Sequence, residues 1–381
     1  MSDVIYLDYA AATPIDPIVL EAMQSYFGAQ FFNPSATYLA AEQVRKDVDA
    51  ARERVAHWFG ARPSEIVFTA GGTEANNLAI RGIMQQFPGG NVVVSAIEHE
   101  SVLAAAHQYD CREAVVTPEG LVDADKLVSL IDDNTVLVSV MYANNEVGTI
   151  QPIRQIAQKL EEIRKSRKAS GNTRPLYLHT DAAQAAAYLD LHTARLGVDL
   201  MTINAGKIYG PKQVGALFVA SHVQLRPQVA GGGQERGLRS GTENVAGVIG
   251  LAKALDLVQE RRHEEVARLQ QLQKLFFEQI EARFPDAIIN GSRKHRLPNN
   301  VHVTFPGQDN ERLIFQLDAA GILCAAGSAC SASSDEPSHV LKAMGKTDAE
   351  AQSSLRFTLG LHTTEANTDK AIVTLEKLIK T

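Results

Sequence analysis

With 381 residues, 45% apolar and 21% charged, the chain has the make-up of a folded protein large enough for two lobes. A formal charge of −7 offers no basic face, so direct nucleic-acid binding is not expected. Three cysteines (Cys111, Cys324, Cys330) are too few for a disulfide framework and lack CxxC or His/Cys ligand spacing, so no metal site is expected.

The N-terminal MSDVIYLDYAA has no basic region and no long apolar stretch, and the most apolar run, 136–143, is too short to cross a bilayer. These features predict a cytoplasmic protein without a membrane partner. Within 40–59, Val44, Val48, Ala51, Val55 and Trp58 recur at helical spacing before Gly60, a pattern of core contacts. Apolar, β-prone runs at 66–69, 91–96, 135–140, 176–180, 199–203 and 214–219 alternate with helix-like segments. That alternation predicts an α/β fold with a mainly parallel sheet. A long helical pattern from Val245 to about Phe284 leads into a second lobe, with strand-like 300–305, a Gly/Ser-rich segment at 326–334, strand-like 354–360 and a last helix over 369–380.

Lys207 follows the run 199–203, and Asp181 closes the run 176–181. A lysine at a strand end can hold pyridoxal phosphate as a Schiff base, and a carboxylate on the next strand can keep the pyridine nitrogen protonated. Taken singly, Lys207 reads more readily as a solvated loop residue. The stretch IVFTAGGTEANNLAI reads strand, glycine turn, helix, so helix N–H groups and the Thr73 hydroxyl could hold a phosphate; the alternative is a tight turn with Thr73 as N-cap. It lacks the endings of an ATP loop or a dinucleotide fingerprint.

His99 follows the strand-like run 91–96, where an imidazole can stack on a planar ring or relay protons. Asn145 and Gln184 could donate to a ring oxygen or cap turns. Arg356, in an apolar setting, suits a substrate carboxylate or a buried salt bridge. Cys330 lies among small residues in AAGSACSASSDEPSHVL, as an accessible nucleophilic thiol would, whereas Cys324 ends an apolar run and reads as buried and inert.

Together with YLDYAAATP, EHESVL, ANNEVGTIQPI, HTDAAQ, GKIYGPKQVGAL, GGGQERGLRSGTENVAG and SSLRFTLG, these motifs make the chain resemble, over nearly its whole length, the cysteine desulfurases of the NifS/IscS type. These belong to the class V aminotransferase group of fold-type I pyridoxal-phosphate enzymes. The resemblance implies a large cofactor-binding domain over 14–257 and a smaller α+β domain made of 1–13 and 258–381. It also implies a homodimer. By the same resemblance Lys207 carries the cofactor, Asp181 pairs with its ring nitrogen, His99 stacks on the ring, and Asn145 and Gln184 bind the ring oxygen. Gly72 and Thr73 hold the phosphate, Thr242 reaches it from the second subunit, and Arg356 binds the substrate carboxylate with help from Asn33. L-cysteine would yield L-alanine and a persulfide on Cys330, which passes to an acceptor protein serving iron–sulfur cluster or thiolated tRNA synthesis.

The pattern also departs from the family. Asn204 and Gly206 stand where a serine and a histidine usually hold phosphate, which predicts weaker cofactor retention unless the Asn204 amide or the Gly206 N–H substitutes. Gln234 replaces a histidine, and ATYLAAEQ lacks another. The chain ends 25 residues after Arg356, so the longer tail by which some relatives dock a scaffold is expected to be absent. Two other readings stay open: a different class V activity, such as selenocysteine lyase or aminotransferase, and a degenerate desulfurase kept as an interaction protein.

Overall fold

The computed structural model describes residues 4–327 and 337–380. Its strands are β1 (Ile5–Tyr6), β2 (Ile66–Thr69), β3 (Asn91–Ser95), β4 (Asp110–Ala114), β5 (Thr135–Ser139), β6 (Tyr177–Asp181), β7 (Leu200–Asn204), β8 (Gly215–Val219), β9 (Ile288–Ile289), β10 (Asn300–Thr304), β11 (Ile322–Leu323) and β12 (Ser354–Thr358). Strands β2 to β8 form one seven-stranded sheet in the order β2-β8-β7-β6-β5-β3-β4. From β7 to β4 every pair is parallel, as the alternating sequence pattern predicts. β8 is antiparallel to both β7 and β2. Two reversals return β2 to the direction of β7, so β2, β3, β5, β6 and β7 all end on the same edge. In open α/β sheets that carboxyl edge is where ligands bind.

Helices cover the sheet, and β3, β5, β6 and β8 are buried from end to end, which is why each reads as a short apolar run. β4 has the polar sequence DCREA and sits at the sheet edge, so apolarity gave no sign of it. The long helical pattern is two helices, Val245–Glu260 and Arg262–Arg283, separated at Arg261. The last helix runs Glu365–Lys380, starting four residues earlier than its apolar period.

A second, antiparallel sheet has the order β12-β10-β9, and β1 pairs in parallel with β11. A single apolar cluster spans both sheets, from Phe59 and Ile203 to Phe276 and Phe357. Among the described residues no helix is long and apolar enough to cross a membrane, and no group of His, Cys, Asp and Glu is placed to hold a metal.

Candidate active site

The carboxyl edge of the sheet opens into a cleft. At one end, β2 turns through Gly71 into the helix Gly72–Gln86. Gly71 has φ +130°, a conformation that disfavours a side chain, and it caps the helix. Thr73 is therefore the second residue of the helix and not its N-cap, which corrects the alternative reading of that motif. The turn packs tightly on β8: a Cβ at Gly215 would lie 2.8 Å from the Gly71 carbonyl carbon. First-turn N–H groups of this 15-residue helix have no partner within the helix and carry its positive dipole end, a favourable place for phosphate.

Asn204 ends β7 across from this turn. Its Oδ1 accepts the Gly206 N–H at 3.1 Å, so the oxygen faces the chain's own backbone. Its Nδ2 would stand 3.6 Å from a side chain placed at Gly72. Gly206 lies with Gly72, Thr73, Asn204 and Lys212 around the outer part of this end.

In the middle of the cleft Asp181, at the end of β6, is buried. Its Oδ1 accepts the Ala183 N–H at 2.9 Å, and its Oδ2 accepts from Asn76 Nδ2 at 2.7 Å. Asn76 also donates to Ser101 Oγ at 2.8 Å, and that hydroxyl lies 2.8 Å from His99 Nδ1. His99 is the N-cap of the helix Glu100–Ala106, its Nδ1 accepting the Ser101 N–H at 3.1 Å. Next to Asp181 on β6, His179 is wholly buried between Ser139 and Thr202, and burial pushes its pKa down to about 4, so it is neutral near pH 7.

Lys207 follows β7 in a single 3-10 turn, and its Nζ donates to the carbonyls of Ala10 and Ala11 at 2.8 and 2.6 Å. Gln184 Nε2 donates to the same Ala10 carbonyl at 3.0 Å. Arg356, on β12, donates from Nη2 to Asp8 Oδ1 at 2.7 Å and from Nη1 to the Asn145 carbonyl at 3.0 Å. Its Nε is buried with no partner among the described residues. Arg356 thus makes a buried salt bridge with Asp8 and also lines the cleft.

The structure brings Gly72, Thr73, His99, Asn145, Asp181, Gln184, Asn204, Lys207 and Arg356 to one cleft. Thr242 is exposed and does not line it. Asn33 sits on an exposed turn, its Oδ1 accepting the Ser35 N–H, and is also outside it. Cys330 lies outside the described residues. Cys324 is half-buried and not fully buried as its apolar run suggested; burial pushes its thiol up to about 12, with the Asp8 charge adding to the effect.

Sequence reasoning passed over Asn76, Ser101, Met141, and the Ala10 and Ala11 carbonyls. YLDYAAATP and TEANN marked those neighbourhoods, but side-chain chemistry gives no sign of a backbone acceptor. The donor set fits pyridoxal phosphate. It offers a helix N-terminus for the phosphate, a buried carboxylate for a ring nitrogen, amides for a ring oxygen and an amine for the aldehyde.

The aminotransferase class-V family model matches residues 5–370. A cysteine desulfurase IscS of Dictyoglomus turgidum is 40% identical over 383 residues, covering 99% of this chain and 94% of that protein. An IscS of Archaeoglobus fulgidus is 38% identical over 98% of this chain and 97% of its own. Among solved structures, a NifS-like protein superposes with a TM-score of 0.91 at 30% identity, covering 99% of both chains. A structure described as SspA in complex with cysteine superposes at 0.80, with 35% identity, covering 93% of this chain and 98% of that one. Whole-length agreement in sequence, fold and cleft geometry leads to one conclusion: the chain belongs to the aminotransferase class-V family, in its IscS and NifS group.

Proposed function

We propose that the chain is a pyridoxal-phosphate-dependent cysteine desulfurase that converts L-cysteine to L-alanine and carries the sulfur as a persulfide on Cys330. The observation that carries this reading is the convergence of Lys207, Asp181, His99, Arg356 and the Gly72 helix start on one cleft. The desulfurase names of the relatives and the cysteine-bound neighbour point to the same substrate.

Bound pyridoxal phosphate supplies an electron-withdrawing ring that makes the Cα hydrogen of cysteine acidic. The Lys207 amine takes that proton. Asp181, fixed by Asn76 and Ala183, sets a negative charge where a ring nitrogen is to stay protonated. Arg356, held by Asp8 and the Asn145 carbonyl, has N–H groups left for the substrate carboxylate. The Cys330 thiolate then bonds to the substrate sulfur as the substrate C–S bond breaks, and the bonding pair stays on carbon, which is protonated to give alanine. The net change is cysteine plus thiol to alanine plus persulfide.

In this reading the outer sulfur atom goes to an acceptor protein serving iron–sulfur clusters or tRNA thiolation, in the cytoplasm. The unit is a homodimer in which Asn33 and Thr242 serve the partner's cleft. Exposed Phe27, Phe31, Tyr38 and Leu39 around Asn33 support such an interface. The lobe division at 14–257 belongs to this reading too.

The test is alanine release from L-cysteine with a reductant, for wild type and Cys330→Ala, with and without added pyridoxal phosphate. Alanine release that depends on Cys330 and rises with added cofactor is expected. Full-rate sulfide release by Cys330→Ala would favour a different class V activity, and an inert cofactor-loaded protein would favour the interaction-protein reading.

A further inference from the structure

His99 is the end of a hydrogen-bond chain that starts at Asp181. Asn76 Nδ2 has two hydrogens, one donated to Asp181 Oδ2 at 2.7 Å and the other to Ser101 Oγ at 2.8 Å. The Ser101 hydroxyl, whose hydrogen is not used in the Asn76 bond, lies 2.8 Å from His99 Nδ1 and can donate to it. The Ser101 backbone N–H points at the same nitrogen from 3.1 Å. Two donors converge on one lone pair, so Nδ1 has no room for a proton of its own. The hydrogen of the neutral ring must then sit on Nε2.

The direction of this chain depends on Asp181. A carboxylate needs the NH2 side of Asn76, and turning the amide over would set its oxygen against Asp181. Asn76 and Ser101 are both buried, so water does not compete for these bonds.

We propose that Asn76 and Ser101 are positioning residues that tie the tautomer of His99 to the charge of Asp181, making His99 a hydrogen donor through Nε2. The consequence departs from a simple proton relay. With Nδ1 closed by Ser101, the neutral ring does not pick up a proton from substrate. It offers an N–H to a developing negative charge. The role assigned to His99 rests on the desulfurase reading, whereas the tautomer does not.

The experiment uses protein labelled with 15N in its histidine rings, with the His99 signals assigned by their loss in His99→Asn. In wild type, Nδ1 is expected to show an unprotonated signature and Nε2 a protonated one. Ser101→Ala removes one donor, so the two ring nitrogens should move toward each other, while Ser101→Thr, which keeps the hydroxyl, should match wild type. In the cofactor-loaded enzyme, Ser101→Ala should lower kcat about tenfold and leave KM for cysteine within about twofold, with Ser101→Thr restoring kcat. A protonated Nδ1 in wild type would overturn the inference even if Ser101→Ala failed to fold. So would a Ser101→Ala protein with wild-type ring signals and kcat. A protein that fixes Nε2–H yet makes no alanine would sink the desulfurase reading and leave the tautomer assignment standing.

Discussion

Asn204 uses its side-chain oxygen on the Gly206 N–H, and in the proposed reading this decides which group is available to stand in for the phosphate ligands that the family usually has there. The Gly206 N–H is already engaged, so only the Asn204 NH2, beside Gly72, can replace one of the two lost side chains. One charge-assisted hydrogen bond is worth about 1.5–3 kcal/mol, or roughly 10- to 150-fold in affinity. Equilibrium dialysis should therefore show the Asn204→Ser, Gly206→His double variant holding pyridoxal phosphate tighter by about that factor. Equal retention by the two proteins would show that Asn204 alone makes up the difference. At this scale Lys207, Asp181, His99 and Arg356 could be picked out as cleft residues from type and context, whereas the side chains of Asn76 and Ser101 gave no such sign. Nor was the sequence legible where the partner is main chain. The carbonyls that hold Lys207 lie 196 and 197 residues away, and no side-chain pattern marks them.

Between elements, Glu98 joins the ends of two neighbouring strands. It follows β3, and its Oε1 accepts the Met141 N–H just beyond β5 at 2.6 Å. The other oxygen is buried without a partner among the described residues, and burial raises the carboxyl pKa well above the ordinary 4.5, the nearby Asp181 charge adding to it. Folded, the group keeps its proton; unfolded, it ionises above pH 4.5. The unfolded chain thus binds fewer protons over that window, and this carboxyl makes stability fall as pH rises through it. Glu98→Gln removes the effect. Its melting temperature relative to wild type should be more favourable at pH 8 than at pH 5, and a pH-independent difference would contradict the assignment.

The same scale shows why the elements were readable. Strands buried on both faces announce themselves as apolar runs and matched to within about a residue at most ends. The edge strand β4 carries Asp110, Arg112 and Glu113 and did not. The helical period ran unbroken through Arg261 because both flanking helices put apolar residues on the core side, so periodicity alone could not show the break.

For the whole molecule, assembly turns on Thr242 and the aromatic surface around Asn33. A residue that is exposed in its own chain and absent from its own cleft has no way to touch the phosphate there. If it serves a partner, light scattering should report a dimer, and Thr242→Ala should weaken pyridoxal phosphate binding several-fold without changing that mass. A monomer that holds the cofactor equally well with and without Thr242 would remove the shared-site reading.

Assembly in time follows from the salt bridge between Asp8 and Arg356, which joins residues 348 positions apart. Translation at roughly 5–20 residues per second leaves about 17–70 s between the appearance of the two partners. β1 likewise waits for β11, its pairing partner at Ile322 and Leu323. On a nascent chain the seven-stranded sheet, complete in sequence by Val219, can form with Lys207 and the Gly72 turn already in place. The acceptor carbonyls of Ala10 and Ala11 belong to a segment whose anchor on β12 has not yet been made. In the reading proposed above, a ribosome stalled before Arg356 therefore carries a protein that has its lysine and its phosphate turn but no fixed seat for the substrate carboxylate. On that reading, substrate recognition is the last part of the molecule to be born.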